Sequence, residues 1–300
     1  MQVVLGDLKL KNPVISCSGT FASGLEYADF YDIGMLGAVT TKSFSLEERK
    51  GNPPPRVYET ACGMLNSIGL QNRGIADFLK NHLPALKKIG VKPILSIFGE
   101  DTGEFEKISV SLEGHLEHIK AIELNLSCPN VEKGGMAFCA HPDQVRIVTS
   151  MVRDIVKIPI IAKLSPNTGH IESAFAAREG GASAVSLINT LVGTSFDIET
   201  FKPRLGNIIG GLSGPAVKPV ALAKVYELCS RKIIPVIGMG GIFSGKDAIE
   251  FMVAGASAVG IGTINFVDYH AGERIIREIS DYLNRKNIKD INDIIGKVFS

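Results

Sequence analysis

The sequence predicts a (β/α)₈ TIM barrel with loop insertions at its C-terminal face, and three observations support this fold. Eight short apolar runs, rich in β-branched residues, recur along the 300 residues. Most of these runs lack polar alternation, which is typical of parallel strands that are covered on both faces. Amphipathic stretches separate them, and strands that alternate with helices indicate βαβ units. Eight units favour a closed barrel over an open sheet, so residues 1–300 are predicted to form one domain.

The predicted elements follow one another in a regular order. The predicted strands are Val14–Cys17, Ala38–Thr41, Pro93–Ile97, Ala121–Leu126, Ile158–Leu164, Ala184–Ile188, Ile233–Gly238 and Ala258–Ile261. The predicted helices are Ile75–Ile89, Glu104–Ile119, Asp143–Val156, Ile171–Glu179, Val217–Ser230 and Lys246–Val253, followed by a C-terminal helix with a short helical tail in Ala271–Ser300. Capping residues or first-turn prolines mark three helix starts, at His141-Pro142-Asp143, Ser213-Gly214-Pro215 and Ser244.

Two long segments interrupt this alternation. Ser43–Arg73 is rich in proline and glycine, and Thr190–Gly214 follows the sixth predicted strand. Long structured loops in a compact domain usually have a function. Both segments follow strand ends, and we therefore expect both on the barrel face where active sites form.

The composition argues against several classes of function. The 32 basic and 31 acidic residues give a net charge of +1, without the basic excess typical of proteins that bind nucleic acids or membrane surfaces. Asp7 and Lys9 interrupt the first apolar stretch, so no signal peptide is predicted. The five cysteines form no CxxC pair, which favours reduced thiols and a cytoplasmic location. The histidines form no HExxH pattern, and no metal site is predicted.

Polar side chains concentrate where the predicted strands end. The set comprises Lys42, Asn125, Ser127, Cys128, Asn130, Lys163, Asn189 and Thr190. In a barrel these positions surround one mouth, where the loops that follow the strands build the site. A polar group at the end of a buried strand costs roughly 1–3 kcal/mol if it stays unpaired. A ring of amides, two lysines and a thiol therefore predicts a binding site, because loop capping explains only one or two of them.

Glycines follow the last two predicted strands. Gly238–Ile242 (GMGGI) precedes a predicted helix, and Gly260–Thr263 (GIGT) follows the next strand. Glycine lets backbone N–H groups approach a phosphate, whose charge a helix N-terminus favours. Phosphate sites after strands seven and eight are frequent in this fold, so these segments predict a phosphorylated ligand or cofactor. The alternative is a pair of tight turns needed only for packing.

Cys128 is the candidate for the chemical step. It lies past a strand end among hydrogen-bonding groups, and Pro129 restricts the loop behind it. A thiol can act as a nucleophile or as a general base. No histidine is placed to pair with it, which favours proton abstraction over acyl transfer. Of the other thiols, Cys17 and Cys229 are predicted to be in the core, and Cys62 and Cys139 in loops.

Together these segments resemble the class 1 dihydroorotate dehydrogenases, and within them the class 1B catalytic subunits. The resemblance covers nearly the whole chain and rests on Asn12–Ile15, Ser18-Gly19, Thr41-Lys42, Gly51–Arg56, Gly63–Asn72, Asn125–Val131 with Gly134-Gly135, Lys163–Pro166, Ile188–Thr190, Gly210–Pro215 and Gly238–Ile242. Gln71-Asn72 and Gly134-Gly135 resemble class 1B more than the fumarate-using class 1A. Cys128 stands where the membrane-associated class 2 enzymes carry a serine.

The resemblance implies a non-covalent FMN and a dihydroorotate site in the barrel mouth. The implied flavin contacts are Ser18, Lys42, Ser43, Ser96, Asn125, Lys163, Ile188, Gly214, Gly240, Gly241, Gly262 and Thr263, with the phosphate on the glycines and Lys163 at the pyrimidine edge of the ring. The implied substrate contacts are Lys42, Asn66, Ser67, Ile68, Gly69, Leu70, Asn125, Asn130, Asn189 and Thr190. Asparagine both donates and accepts hydrogen bonds, which suits the alternating N–H and C=O groups of a pyrimidine.

The resemblance also implies a mechanism and a partner. Cys128 removes the C5 proton of dihydroorotate, and a hydride passes from C6 to N5 of the flavin. The electrons then reach NAD⁺ through a subunit that carries FAD and a 2Fe–2S cluster, in a heterotetramer of two chains of each kind. This chain lacks the cysteine spacing for such a cluster.

Two positions depart from the family pattern, and other functions remain as alternatives. Ser96 stands where relatives often have asparagine, and Cys139 stands where a glycine is expected, so we predict that Cys139 restricts its loop. The first alternative is a flavin barrel that acts on another dihydropyrimidine, such as dihydrouracil. The others are a fumarate-using class 1A enzyme, a flavin-free phosphate-binding barrel and a non-catalytic scaffold subunit.

Overall fold

The structure is a computed structural model that describes residues 1–127 and 138–300. In chain order its strands are β1 (Val3–Leu5), β2 (Leu8–Leu10), β3 (Val14–Ser16), β4 (Val57–Thr60), β5 (Gly63–Asn66), β6 (Ile94–Ile97), β7 (Ala121–Asn125), β8 (Ile160–Lys163), β9 (Ala184–Leu187), β10 (Leu191–Thr194), β11 (Phe196–Asp197), β12 (Lys202–Pro203), β13 (Ile209–Ser213), β14 (Val236–Met239) and β15 (Ala258–Ile261). Every strand of the central sheet falls within a predicted strand or extends it by one residue.

Seven of these strands form a curled parallel sheet in the order β3-β15-β14-β9-β8-β7-β6. All their residues are buried, which explains why the sequence shows continuous apolar runs instead of alternation. The antiparallel hairpin of β1 and β2 lies at the end of the barrel where the parallel strands begin. A Cβ on Gly6, at the turn of the hairpin, would contact Ser183, which directly precedes β9. The predicted TIM-barrel fold class is confirmed.

The eighth barrel position differs from the prediction. The sequence predicts a strand over Ala38–Thr41, but this segment forms only isolated parallel bridges, one to β3 and one to β6. Side-chain hydroxyls interrupt the ladder here. The Thr40 N–H donates to Ser16 Oγ at 2.8 Å, and the Ser96 N–H donates to Thr41 Oγ1 at 3.2 Å. The bridges still join the first and last strands of the sheet, so the barrel closes.

Helices cover the outside of the sheet. They are α1 (Leu25–Ala28), α2 (Ile75–Asp77), α3 (Leu83–Lys88), α4 (Thr102–Ser111), α5 (Pro142–Val156), α6 (His170–Glu179), α7 (Lys218–Ser230), α8 (Gly245–Val253) and α9 (Ala271–Arg285). A π-helical turn, Phe78–His82, joins α2 to α3, so the helix predicted over Ile75–Ile89 is one continuous element. Short 3₁₀ turns at Ile291–Ile294 and Lys297–Phe299 form the predicted helical tail.

Helix α5 illustrates how the sequence fixes these elements. Pro142 occupies its first turn, where the missing N–H costs nothing. Val145, Val148, Val152 and Val156 recur at helical spacing and are all buried against the barrel. Across the described ranges, no helix is both long enough and apolar enough to cross a membrane.

The two insertions form one antiparallel sheet, in the order β10-β13-β5-β4. Strands β4 and β5 come from Ser43–Arg73, and β10 and β13 come from Thr190–Gly214. Their contact is the pairing of β5 with β13, in which Asn66 lies opposite Gly211. We call this four-stranded unit the insertion sheet. The prediction that both insertions lie on the same face of the barrel is confirmed, whereas their pairing was not predicted.

Candidate active site

The carboxyl ends of the barrel strands and the insertion sheet enclose a cavity of about 580 Å³. This volume suits an organic cofactor or a small ligand. The predicted site residues that line the cavity are Ser18, Lys42, Ser43, Asn66, Ile68, Gly69, Leu70, Asn125, Lys163, Ile188, Asn189, Thr190, Gly214, Gly240, Gly241, Gly262 and Thr263. Residues from distant parts of the chain thus meet at one mouth, as expected for loops that follow parallel strands.

Four predicted residues do not line the cavity or cannot be placed. Cys128 and Asn130 lie outside the described residues. Ser96 lies behind the wall and shares a hydrogen bond with Ser43, with 2.9 Å between their Oγ atoms. The Ser67 side chain is fully buried, and its Oγ has no hydrogen-bond partner within the described ranges.

Lys163 places a buried positive charge at the cavity. It ends β8, is 6% exposed, and donates a hydrogen bond from Nζ to Ser18 Oγ at 3.0 Å. A buried ammonium is costly unless it is paired, and it carries three donors. Glu123, a buried carboxylate on the neighbouring strand β7, accepts a hydrogen bond from Ser186 Oγ at 3.3 Å. Lys163 therefore has donors to offer an electron-rich ligand.

Amides and hydroxyls form a continuous polar chain beside this lysine. The chain, which we call the polar chain, comprises Ser96, Ser43, Asn125, Ser127 and Asn189. Asn125 Nδ2 donates to Ser43 Oγ at 3.0 Å, and Ser127 Oγ donates to Asn125 Oδ1 at 3.1 Å. Asn189 Nδ2 donates to Ser127 Oγ at 2.6 Å. Each amide side chain is thereby held in one orientation toward the cavity.

Two glycines after β14 bring the backbone close to the cavity. Gly240 has a φ of +124° and Gly241 a φ of +73°, conformations that a side chain rarely adopts. A Cβ on Gly241 would lie 2.9 Å from the Gly214 carbonyl oxygen. Helix α8 begins shortly afterwards, and its N-cap Ser244 accepts a hydrogen bond from the Asp247 N–H at 3.2 Å. Backbone N–H groups at such a turn can bind a phosphate.

The loop after β15, the strand that pairs with β14, also lines the cavity. A Cβ on Gly262 would be in ordinary van der Waals contact, with Cys17 Sγ nearest at 3.7 Å. Thr263 Oγ1 donates to Ser213 Oγ at 2.9 Å and begins a short 3₁₀ turn. Gly262 and Thr263 thus line the same cavity as Gly240 and Gly241. The two loops are connected through Ser213 and Gly214, because Thr263 bonds to Ser213 and Gly241 closely approaches Gly214.

The described thiols differ in their surroundings. Cys17 lines the cavity floor, and burial raises its pKa to about 12 despite the nearby Lys163 charge. Burial also raises the pKa of Cys139 and of Cys229 to about 12. Cys139 was predicted to lie in a loop, but it belongs to the 3₁₀ turn Phe138–Ala140 and is 1% exposed. Cys62 is exposed. Low thiolate content makes the three buried thiols poor bases.

Sequence reasoning missed part of the cavity wall. The main additions are Cys17, Thr20, Tyr27, Met64, Arg73, His82, Leu212, Met239 and Phe266. Thr20 and Met239 are near neighbours of predicted residues, so the same loops could have suggested them. His82 and Phe266 come from helical segments, and only the fold brings them to the cavity.

Comparison with known proteins gives a consistent result. A sequence model of the family described as Dihydroorotate dehydrogenase matches residues 1–283. A protein of Thermoanaerobacter sp. (strain X514), named "Dihydroorotate dehydrogenase B (NAD(+)), catalytic subunit", is 50% identical over 99% of this chain and 98% of its own length. Proteins with the same name from Alkaliphilus oremlandii (strain OhILAs) and Geobacter sp. (strain M21) are 48% and 45% identical, each over 99% of this chain and over 98% and 97% of their own length.

Proposed function

Because the chain belongs to the dihydroorotate dehydrogenase family, we propose that it oxidises (S)-dihydroorotate to orotate in de novo pyrimidine biosynthesis. The observation that carries the proposal is one cavity lined by a buried lysine, by Ser43, Asn125 and Asn189 of the polar chain, and by two glycine turns. A cytoplasmic location stays a prediction from the sequence.

FMN is the proposed cofactor, and the residues present fit it. Gly240-Gly241 and Gly262-Thr263 would hold the phosphate, because both turns expose backbone to one end of the cavity. Lys163 would contact the pyrimidine edge of the ring, and Ser18 fixes the lysine by a hydrogen bond. A fixed cation at that edge stabilises the negative charge that reduction brings there. When bound, FMN supplies the hydride acceptor.

The amides are proposed to bind the substrate ring. Asn66, Asn125 and Asn189 line the cavity, and the polar chain fixes the orientation of two of them. An oriented amide presents a donor and an acceptor to the complementary edge of a pyrimidine. Lys42 and the segment 67–70 complete the proposed substrate wall, together with Thr190. Asn130 remains part of the proposal from the sequence alone.

Cys128 is the proposed general base for the C5 proton. Ser127, which belongs to the polar chain through its hydrogen bond to Asn125, directly precedes Cys128 in the sequence. Burial makes Cys17, Cys139 and Cys229 unsuitable for this role at neutral pH. Cys128→Ala and Cys128→Ser should lower the rate of dihydroorotate oxidation at pH 7 by about 10²-fold or more. Full activity in both variants would show that Cys128 is not the base, and the scaffold alternative would then require the oxidation to take place in another protein.

Anaerobic mixing of the FMN-loaded chain with dihydroorotate, and separately with dihydrouracil, tests which dihydropyrimidine is the substrate. We expect dihydroorotate to bleach the flavin absorbance and dihydrouracil to leave it unchanged. Bleaching by dihydrouracil alone would favour a flavin barrel that acts on another dihydropyrimidine. A colourless protein that takes up no FMN would favour a flavin-free phosphate-binding barrel.

The proposed partner is an electron-transfer subunit with FAD and a 2Fe–2S cluster, in a heterotetramer of two chains of each kind. The relatives are named as the catalytic subunit of an NAD⁺-type enzyme, and this name supports the presence of a further subunit. The stoichiometry rests on the family resemblance.

A further inference from the structure

An ion-pair cluster lies behind the turn proposed to bind the flavin phosphate. Lys218 Nζ is 2.8 Å from Asp247 Oδ1 and 2.8 Å from Glu250 Oε2. None of these three side chains lines the cavity. They can therefore influence a bound ligand only through the residues they hold or through their charge.

Asp247 organises the start of α8. Its Oδ2 accepts hydrogen bonds from the Phe243 N–H at 3.1 Å and from Ser244 Oγ at 2.8 Å. Phe243 lines the cavity and directly follows the Gly240–Ile242 turn. The Asp247 carboxylate thus fixes the backbone that leaves the phosphate turn.

Lys218 connects this turn to a second helix start. It begins α7, and the preceding residues Gly214 and Val217 line the cavity. A Cβ on Gly241 would lie 2.7 Å from the Lys218 Cβ, so the two segments are in close contact. The bond from Lys218 to Asp247 therefore ties the starts of α7 and α8 together.

We propose that Lys218 is a positioning residue for the flavin phosphate. It ties the starts of α7 and α8 together, and it neutralises the Asp247 carboxylate. This inference rests on the proposed function, because it requires a flavin phosphate at the Gly240-Gly241 turn. Without the lysine, the negative charge of Asp247 at the start of α8 opposes the anion that this helix end would otherwise attract. Hydrogen bonds to Asp247 and Glu250 raise the Lys218 pKa. Burial raises the Asp247 pKa, but the hydrogen bonds from Lys218, Ser244 and the Phe243 N–H outweigh burial and hold this pKa below its usual value. Both groups are therefore charged at neutral pH.

A comparison of two flavins tests this role, because riboflavin has the ring of FMN but no phosphate. The apoprotein of Lys218→Met is titrated with FMN and with riboflavin, and flavin fluorescence reports binding. We expect the Kd for FMN to rise on the order of tenfold and the Kd for riboflavin to change less than about twofold. Lys218→Arg, which keeps the charge, should restore most of the FMN affinity.

Asp247→Asn separates charge from structure, because the amide keeps an acceptor oxygen for the helix start but loses the negative charge. Alone, it breaks the bond to Lys218 but also removes the negative charge, so FMN affinity should fall less than in Lys218→Met. Combined with Lys218→Met, it should recover FMN affinity relative to Lys218→Met alone. A loss of FMN affinity in Asp247→Asn as large as that in Lys218→Met would overturn the electrostatic part of the proposal.

Arg153→Met is the matched control. Arg153 pairs with Asp7 at 2.8 Å with comparable exposure of its side chain, but neither residue lines the cavity or the phosphate turn. It should change neither Kd. Equal losses of FMN and riboflavin affinity in Lys218→Met, or no loss of either, would contradict the role of Lys218 while leaving the proposed function intact. A wild-type chain that binds neither flavin would contradict both.

Discussion

At the scale of single residues, Ser127 is the link in the polar chain that can be tested most directly. Its hydroxyl donates to Asn125 Oδ1 and accepts from Asn189 Nδ2, so one oxygen orients two proposed substrate ligands. It is 1% exposed, and water cannot readily replace it. The polar chain therefore explains why two asparagines from different strands present defined donors and acceptors to one ligand.

Ser127→Ala should weaken substrate binding more than it slows the chemical step. Removal of the hydroxyl leaves an acceptor on Asn125 and a donor on Asn189 without their partner, at a cost of roughly 1–3 kcal/mol. We expect the KM for dihydroorotate to rise about tenfold, with a smaller change in kcat, in steady-state assays with an artificial electron acceptor.

Ser109→Ala provides the control for that substitution. Ser109 is equally buried, but its Oγ donates to the Phe105 carbonyl within α4, on the outside of the barrel. Its removal should leave KM unchanged. An unchanged KM in Ser127→Ala as well would mean that the polar chain does not orient the substrate amides.

At the scale of elements, the insertion sheet depends on one close approach of backbone. A Cβ on Gly63 would lie 2.1 Å from the Ser213 carbonyl oxygen, and a Cβ on Gly214 would lie 2.5 Å from the Gly63 Cα. Gly63 also has a φ of +146°. Glycine at this position allows β5 to approach β13, and through this contact the two insertions form one wall of the cavity.

Gly63→Ala should loosen this wall and leave the barrel intact. The added methyl group forces β5 away from β13, so we expect kcat/KM for dihydroorotate to fall about tenfold and limited proteolysis to cut the insertions faster. Gly90→Ala is the control, because Gly90 also has a positive φ but a Cβ there would meet nothing within 4 Å. Equal effects in both variants would assign the loss to backbone strain alone.

The same elements show what the sequence could and could not predict. The periodicity of hydrophobic residues is a local property, and most barrel strands and helices lie where it predicts them. The exceptions are the helix predicted over Glu104–Ile119, which ends at Ser111, and the strand predicted over Ala38–Thr41. The pairing of β5 with β13 joins residues about 145 positions apart in the chain, as the Asn66 contact with Gly211 shows, and no local pattern encodes it. The irregular segment Ala38–Thr41 was predicted as a strand because nothing local reveals that hydroxyls replace carbonyls in its ladder.

The site was predictable for a similar reason. Polar residues at the ends of apolar strands are visible in the sequence, and the barrel then brings Lys163 and Asn125 together. The side chains of His82 and Phe266 reach the cavity from helical segments, where no strand end marks them. Ser67 and Ser96, which only the family resemblance implied, are fully buried and do not line the cavity.

At the scale of the whole molecule, buried thiols and phenols make the fold sensitive to alkaline pH. Burial raises the pKa of Cys139, Cys229 and Tyr27 to about 12 and that of Tyr31 still further. These groups are neutral in the folded protein at pH values where they ionise in the unfolded chain. Their stabilising contribution is therefore complete below about pH 9 and is lost as the pH rises toward 12.

We expect Tm to be nearly constant from pH 7 to 8.5 and to fall steadily above pH 9. At pH 11 each fully buried thiol contributes roughly 2–3 kcal/mol less than at pH 8. Calorimetry of Cys229→Ala should show a shallower fall with pH than the wild type, whereas Cys62→Ala, at an exposed position, serves as the control. Parallel slopes in all three proteins would show that these thiols do not cause the alkaline loss.

The proposed reaction requires a path by which electrons leave the reduced flavin. The five cysteines of the chain lack the close spacing of a 2Fe–2S site, and the described residues contain no group of three metal-ligating side chains. No GxGxxG fingerprint opens the first βα unit, so a nicotinamide site is not predicted either. The name of the relatives, a catalytic subunit of an NAD(+) enzyme, supports the proposal that a second protein passes the electrons to NAD⁺.

The FMN-loaded chain alone should oxidise dihydroorotate with an artificial acceptor but reduce NAD⁺ at less than about 1% of that rate. Co-expression with the electron-transfer subunit of such an enzyme should restore NAD⁺ reduction and give a complex with iron–sulfur absorbance. A chain that turns over with fumarate and no partner would instead be a class 1A enzyme. The assay distinguishes the two classes by the acceptor that the chain uses, without changing a residue of the cavity.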